Sequence, residues 1–193
     1  MLVRALRLCL LLALPLALLV AASAEKTRTP FSLPVSFETS DGFTLKGDLT
    51  SSADANAPVA ILLHMYRSDR SAWAPLVPDL AAAGFTVLAI DQRAHGASKQ
   101  RGGERVDVAA IPRTKFGELV RDGVHDVEAA ARYLARQGLA TDRIVLIGAS
   151  YGCSVSLLSA KQLDGARALV LLSPGTNYFG VKVLAEAGSL TPK

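Results

Sequence analysis

The sequence predicts an α/β sandwich: a mostly parallel sheet with helices on both faces, preceded by a β-hairpin. Three observations predict it. Apolar runs at 59–63, 85–90 (with Thr86 its one polar residue), 144–147 and 168–172 read as strands covered on both faces. Helix-length segments separate these runs, and that alternation builds parallel sheets. The polar stretches rich in candidate functional residues follow the carboxyl ends of the strands, where open α/β sheets carry their sites.

The chain has 193 residues, 50% of them apolar, which is enough for one domain with a core. Residues 1–24 stand outside that domain. Arg4 and Arg7 precede an apolar run from Leu8 to Ala22, and Ala22-Ser23-Ala24 before Glu25 has the small-residue pattern of a cleavage site. This stretch reads as a secretory signal peptide, so the protein is expected to be exported, periplasmic or secreted. The apolar run contains Pro15 and is shorter than the roughly 20 residues of a membrane span, so no stable anchor is expected after cleavage. The formal net charge is +4, and the leader holds two of those charges and no acid. That balance gives no electrostatic case for nucleic acid.

Residues 25–34 form a polar, proline-punctuated leader that is expected to be mobile, and residues 35–193 form the domain. Val35 to Thr39 alternates, Ser40-Asp41-Gly42 signals a turn, and Phe43 to Leu49 alternates again, which reads as a hairpin. A small polar loop leads to the strand at 59–63. The polar stretch from His64 to Trp73 follows, then a helix over 71–83 that Pro75 and Pro78 interrupt and Gly84 stops. The strand at 85–90 ends in Asp91-Gln92-Arg93-Ala94-His95-Gly96-Ala97-Ser98. Residues 99–115 carry Lys99, Arg101, Arg105, Arg113 and Lys115 against Glu104 and Asp107, and such a loop is expected to be solvated. An amphipathic helix is predicted over 116–137, with Leu119, Val120, Val124, Val127, Ala131 and Leu134 on one face and Gly138 at its end. Asp122, His125 and Asp126 have helical spacing, but they are expected on or beside the polar face with no further ligand near, so neither metal nor cofactor is implied. A short helix is expected over 181–187.

The most informative stretch is Gly148-Ala149-Ser150-Tyr151-Gly152. A buried-strand run from Ile144 to Ile147 feeds into it, and an apolar helix over 153–163 follows. This is G-x-S-x-G in the strand–turn–helix context of a nucleophile elbow, where Ser150 stands above the sheet edge. With Cys9 in the leader, Cys153 is the one cysteine of the domain, so no disulfide within it is possible. Its place in an apolar helix reads as small buried packing.

Three motifs in order make the chain resemble the α/β-hydrolase superfamily from Phe37 to Pro174. His64-Met65-Tyr66 stands at the family's His-Gly-x oxyanion loop, Asp91 to Ser98 is similar to its D-x-R-G-H-G-x-S segment, and Gly148 to Gly152 is the elbow. The resemblance implies nucleophilic attack by Ser150 on an acyl carbonyl, with an acyl-enzyme that water hydrolyses. It implies an oxyanion hole made by backbone N–H groups of Tyr151 and of the loop after His64, with Tyr66 as the donor. Met65 replaces the usual glycine there and either crowds the loop or shapes the acyl pocket. Ala94 replaces another glycine.

The same resemblance implies triad order: serine, then acid, then histidine. His64, His95 and His125 all precede Ser150, and the acids after it, Asp164 and Glu186, do not directly follow a buried strand. The family's last two strands, with their acid and histidine, are thus expected to be missing, which would leave an apolar sheet edge. Two readings follow. One is an exported, C-terminally truncated serine hydrolase of small carboxylic esters, since no lid-sized insertion is visible. The other is a non-catalytic or decayed protein of the same fold.

Overall fold

The computed structural model describes residues 32–188 and 190. The expected signal peptide and all but the last three residues of the expected leader lie outside them. The described residues form a mixed eight-stranded sheet: β1 (Ser32–Glu38), β2 (Phe43–Thr50), β3 (Val59–Leu63), β4 (Thr86–Asp91), β5 (Gln100–Arg101), β6 (Glu104–Arg105), β7 (Ile144–Ala149) and β8 (Ala166–Leu172). Their order is β6-β5-β2-β4-β3-β7-β8, with β1 on β2. Strands β4, β3, β7 and β8 run parallel; β1, β2, β5 and β6 pair antiparallel. The helices are α1 (Val77–Ala82), α2 (Phe116–Asp122), α3 (Val124–Arg136), α4 (Tyr151–Gln162) and α5 (Val183–Gly188).

Side-chain alternation along the central strands divides the core into two layers. Val59, Ile61 and Leu63 of β3 face a cluster that holds Leu119 and Val120 of α2, Val127 and Leu134 of α3, and Val155 of α4. Ala60 and Leu62 face the other way, against Trp73 and the α1 residues Val77 and Leu80. Helices therefore cover both faces, and β3 is apolar at every position because neither face meets water.

The structure departs from expectation in four places. First, β1 begins at Ser32, so Ser32 to Pro34 belongs to the hairpin rather than to a mobile leader. Second, the helix expected over 71–83 is a 3-10 turn at Arg70–Trp73 followed by α1, because Pro75 and Pro78 remove backbone donors. Third, the long amphipathic helix is interrupted at Gly123, where the ladder tightens: Gly123 N–H donates to Val120 O (3.3 Å) and Asp126 N–H to Gly123 O (3.1 Å). A Cβ on Gly123 would stand 2.8 Å from Val155 Cγ2, so α4 seats closely here. Fourth, β8 is not covered on both faces. Val170 and Leu172 are 41% and 43% exposed, and among the described residues β8 pairs only with β7. Its outer edge is apolar and open.

Candidate active site

The end of β7 and the start of α4 are joined by a single residue, Ser150, with φ 49° and ψ −107°. Such a backbone costs about 1–3 kcal/mol and persists only where its surroundings over-determine it. They do so here. Ser150 N–H donates to Leu172 O at the end of β8 (2.9 Å), and Ser150 O accepts from Cys153 N–H (3.0 Å). A Cβ on Gly148 would lie 2.3 Å from Gly152 O, and one on Gly152 would lie 2.1 Å from Leu63 O. The two glycines thus let α4 start against the end of β3. Cys153 packs beneath, its Sγ donating to Gly148 O (3.1 Å) and Leu172 O (3.3 Å), and burial pushes its thiol pKa up.

The turn beyond β3 lies beside this elbow. Ser68 N–H donates to Met65 O (3.2 Å), and Arg67 takes φ 58° to close the turn. Met65 itself is exposed. Tyr66 is half-buried, its ring centroid 6.3 Å from that of Tyr151. Tyr151 opens α4, where its N–H has no helical carbonyl to reach, and its buried hydroxyl donates to Leu119 O (3.3 Å). The structure therefore brings Tyr66 and Tyr151 together at the elbow and leaves the Met65 side chain facing outward.

The segment from Asp91 to Ser98 is scaffold. Asp91 accepts from Arg70 N–H (2.8 Å), from Ala97 N–H (2.7 Å) and from the Arg70 guanidinium (2.5 Å). Ser98 Oγ accepts from Lys46 N–H (2.8 Å), which ties the segment to β2. Arg93 is buried and bonds Asp126 through Nε (2.9 Å) and through its backbone N–H (2.8 Å), and Asp41 through Nη1 (2.8 Å) and Nη2 (3.1 Å). This corrects the expectation that Asp126 lies on a solvated helix face. It is fully buried on α3, where desolvation raises its carboxyl pKa against the opposing pull of Arg93. A helical wheel alone places it near the polar side; its partner, distant in sequence, takes it inward.

Comparison with known proteins matches residues 60–192 to the model of the alpha/beta hydrolase family. The chain belongs to this family. Among solved structures, the chain resembles the esterase Pf2001 of Pyrococcus furiosus (27% identity, TM-score 0.60), covering 75% of this chain and 50% of that one. It also resembles the α/β hydrolase GrgF from Penicillium sp. sh18 (24% identity, TM-score 0.62), covering 76% and 48%. Epoxide hydrolase B of Mycobacterium tuberculosis is 40% identical over 50 residues, which are 26% of this chain and 14% of that protein. The chain thus spans about half the length of the solved relatives and less of the curated one.

Within this domain, two histidines are braces. Gln92 N–H donates to His64 Nε2 (3.1 Å), and His64 Nδ1 donates to Met65 O (2.7 Å), so both ring nitrogens are occupied and the tautomer is fixed. His95 Nδ1 donates to Arg93 O (2.8 Å). Burial lowers the pKa of both rings, that of His95 to about 4. His125 sits on α3 against Ser40 Oγ (3.4 Å) and Glu128 Oε2 (3.3 Å). A pH prediction follows for His95. The unfolded chain binds a proton near pH 6.5 and the folded chain near pH 4, so stability is expected to fall as pH drops through that window. The slope for this group reaches about 1.4 kcal/mol per pH unit. Urea unfolding at pH 7 and pH 5 checks it, and His95→Asn should flatten the dependence.

One residue at the site carried no motif. Tyr178, in the loop after β8, packs edge-on against Tyr151, the residue after Ser150, at a ring-centroid distance of 6.0 Å. The only sequence signal is its place beyond the carboxyl end of a strand in a parallel sheet.

Proposed function

We propose that the protein is an exported serine hydrolase that cleaves small carboxylic esters through an acyl-enzyme on Ser150. The observation that carries this reading is the strained elbow, which holds Ser150 at the N-terminus of α4. In the proposed reaction Ser150 Oγ bonds to the acyl carbon and the carbonyl electron pair moves onto oxygen. The N–H groups of Tyr151 and Tyr66 hold that oxyanion, and Met65 shapes the acyl side of the loop. The Oγ proton passes to a general base, which returns it to the leaving oxygen as the carbonyl re-forms and the alcohol departs; water then attacks the acyl-enzyme and frees the acid. The nucleophile type favours esters over epoxides. A serine oxygen that opened an epoxide would form an alkyl ether, which water does not readily cleave, whereas an acyl ester turns over.

The test is a fluorophosphonate probe with p-nitrophenyl acetate and butyrate as substrates. Covalent labelling and saturable hydrolysis are expected, both lost in Ser150→Ala. A folded sample that takes no label sinks the reading. A second reading, a hydrolase-fold protein that binds without turnover, is supported by the histidines, of which His64 and His95 are engaged as braces.

Export rests on residues 1–24. Changing Ala22 and Ala24 to bulky residues is expected to block processing and to hold a larger precursor in the cell, measured by fractionation and mass. Unchanged processing would overturn it.

A further inference from the structure

We infer that the cavity between the turn after β3 and the segment after β4 is a subsite for a neutral, polyhydroxylated alcohol, the part of the ester that leaves. The inference rests on the serine-hydrolase reading above and names its substrate class.

Three stretches of chain wall this cavity, whose volume is about 660 Å³. That is the size of pockets that take small ligands. Arg67, Ser68 and Asp69 come from the turn after β3, His95 and Lys99 from the segment after β4, and Asp107 from the cap of the 3-10 turn at Val108–Ala110. The third wall is pinned to the second: Val106 N–H donates to Lys99 O (2.9 Å) and Val108 N–H to Ala94 O (2.9 Å). The cavity is therefore preformed. It also adjoins the elbow. The His95 ring stands 5.4 Å from that of Tyr151, the residue after Ser150, and 5.8 Å from that of Tyr66. Met65, on the acyl side of the loop, does not line the cavity, which leaves this space for the alcohol.

His95 decides what kind of group fits. It is 1% exposed. Its Nδ1 lies 2.8 Å from Arg93 O, and a carbonyl only accepts, so Nδ1 carries the ring proton and Nε2 is a bare acceptor. Burial keeps the ring neutral at neutral pH. Nε2 has no hydrogen-bond partner among the described residues. A buried acceptor left unpaired carries a desolvation cost, and a hydroxyl in the cavity removes it. An anion does not, because it brings no proton to donate. The other lining groups agree. The Lys99 ammonium is already met by Asp107 (2.8 Å), which also accepts from Arg105 (3.1 Å) and from Ala109 N–H (3.0 Å). Asp69 accepts from Ser71 N–H (2.8 Å), and the hydrogen bonds from Ser71 hold its carboxyl below the usual range, so it too is an acceptor. Arg67 lays its guanidinium over the Tyr66 ring at 5.5 Å. Acceptors at His95 and Asp69 thus stand with donors at Arg67, Ser68 and Lys99, and two carboxylates balance two cations. Hydroxyl groups donate and accept together, so a polyol matches this set. A carboxylate or an alkyl group leaves part of it unpaired.

The experiment compares glyceryl monobutyrate, ethyl butyrate and carboxymethyl butyrate, which share an acyl group and differ in a polyol, alkyl or anionic alcohol. The expected kcat/KM for the glyceryl ester is about 10-fold or more above the other two, the worth of about one net hydrogen bond. Ala109 also lines the cavity and is exposed, so Ala109→Trp fills the space. In that variant, with thermal unfolding within a few degrees of the parent, the preference should fall below about twofold. If it does not fold, His95→Phe, which keeps a ring and loses the acceptor, should show the same fall. A parent that labels with fluorophosphonate but cleaves the three esters alike or not at all, or prefers the anionic one, overturns the inference and leaves the serine reading standing. So does a preference that survives in the folded variant. If the parent does not label, the serine reading itself fails.

Discussion

Arg93→Met is expected to destabilise the folded domain by about 3–5 kcal/mol. The side chain of Arg93 is 2% exposed and that of its partner Asp126 is 0%. Removing the guanidinium leaves a carboxylate in the core with no counter-charge, and the cost is that of the orphaned charge rather than of the bond. Asp41 loses its two bonds from Arg93 as well, so the turn between β1 and β2 loosens from the segment after β4. Two controls make the result decisive. Asp126→Asn in the Arg93→Met background should recover part of the loss, because it removes the orphan. Asp48→Ala, which breaks a pair to Arg70 with a partner 41% exposed, should cost about 1 kcal/mol or less. Urea unfolding of the four proteins reads all of this. Equal costs for Arg93→Met and Asp48→Ala would contradict the burial of the Arg93–Asp126 pair. The site depends on this network, because His95, two residues beyond Arg93, lies against Tyr151 at a ring-centroid distance of 5.4 Å.

What the sequence made legible was what repeats with a short period or sits in a local motif. β3 is found at its expected bounds because five buried apolar residues in a row have no other reading in this context. The elbow is legible because strand, turn and helix lie within a dozen residues, and the family membership follows from three such motifs in order. What was not legible depends on partners far apart in the chain. The inward turn of Asp126 needs Arg93, 33 residues away. The short β5–β6 pair forms around Gly102 and Gly103 because β2 offers it an edge, with Phe43 opposite Arg101 and Thr44 opposite Gln100. The exposure of β8 could not be read from its own apolar run, because coverage is a property of neighbours. Tyr178 belongs to the same class: an aromatic residue in a loop has no local mark that it packs on Tyr151 at the elbow.

Gly152→Ala is expected to prevent stable folding or to cost more than roughly 3 kcal/mol. An added Cβ would lie 2.1 Å from Leu63 O and 2.9 Å from His64 O, and both are backbone atoms at the end of β3. No rotamer change relieves such a clash; either α4 moves off the sheet or β3 moves with its neighbours. Gly138→Ala provides the contrast. That glycine has φ 73° with nothing within 4 Å of the added carbon, so only the left-handed backbone penalty of about 1–2 kcal/mol applies. Thermal or urea unfolding of the two variants separates steric overlap from conformational strain, and a smaller cost for Gly152→Ala than for Gly138→Ala would overturn the close seating of α4 on β3. The functional consequence follows from the same geometry. Ser150 stands at the start of α4 and Tyr66 in the turn after β3, so any shift that accommodates the methyl group separates the nucleophile from its proposed oxyanion donor. A variant that folds is therefore expected to label with fluorophosphonate about 100-fold more slowly than the parent, because a misplacement of about 1 Å costs that much in rate.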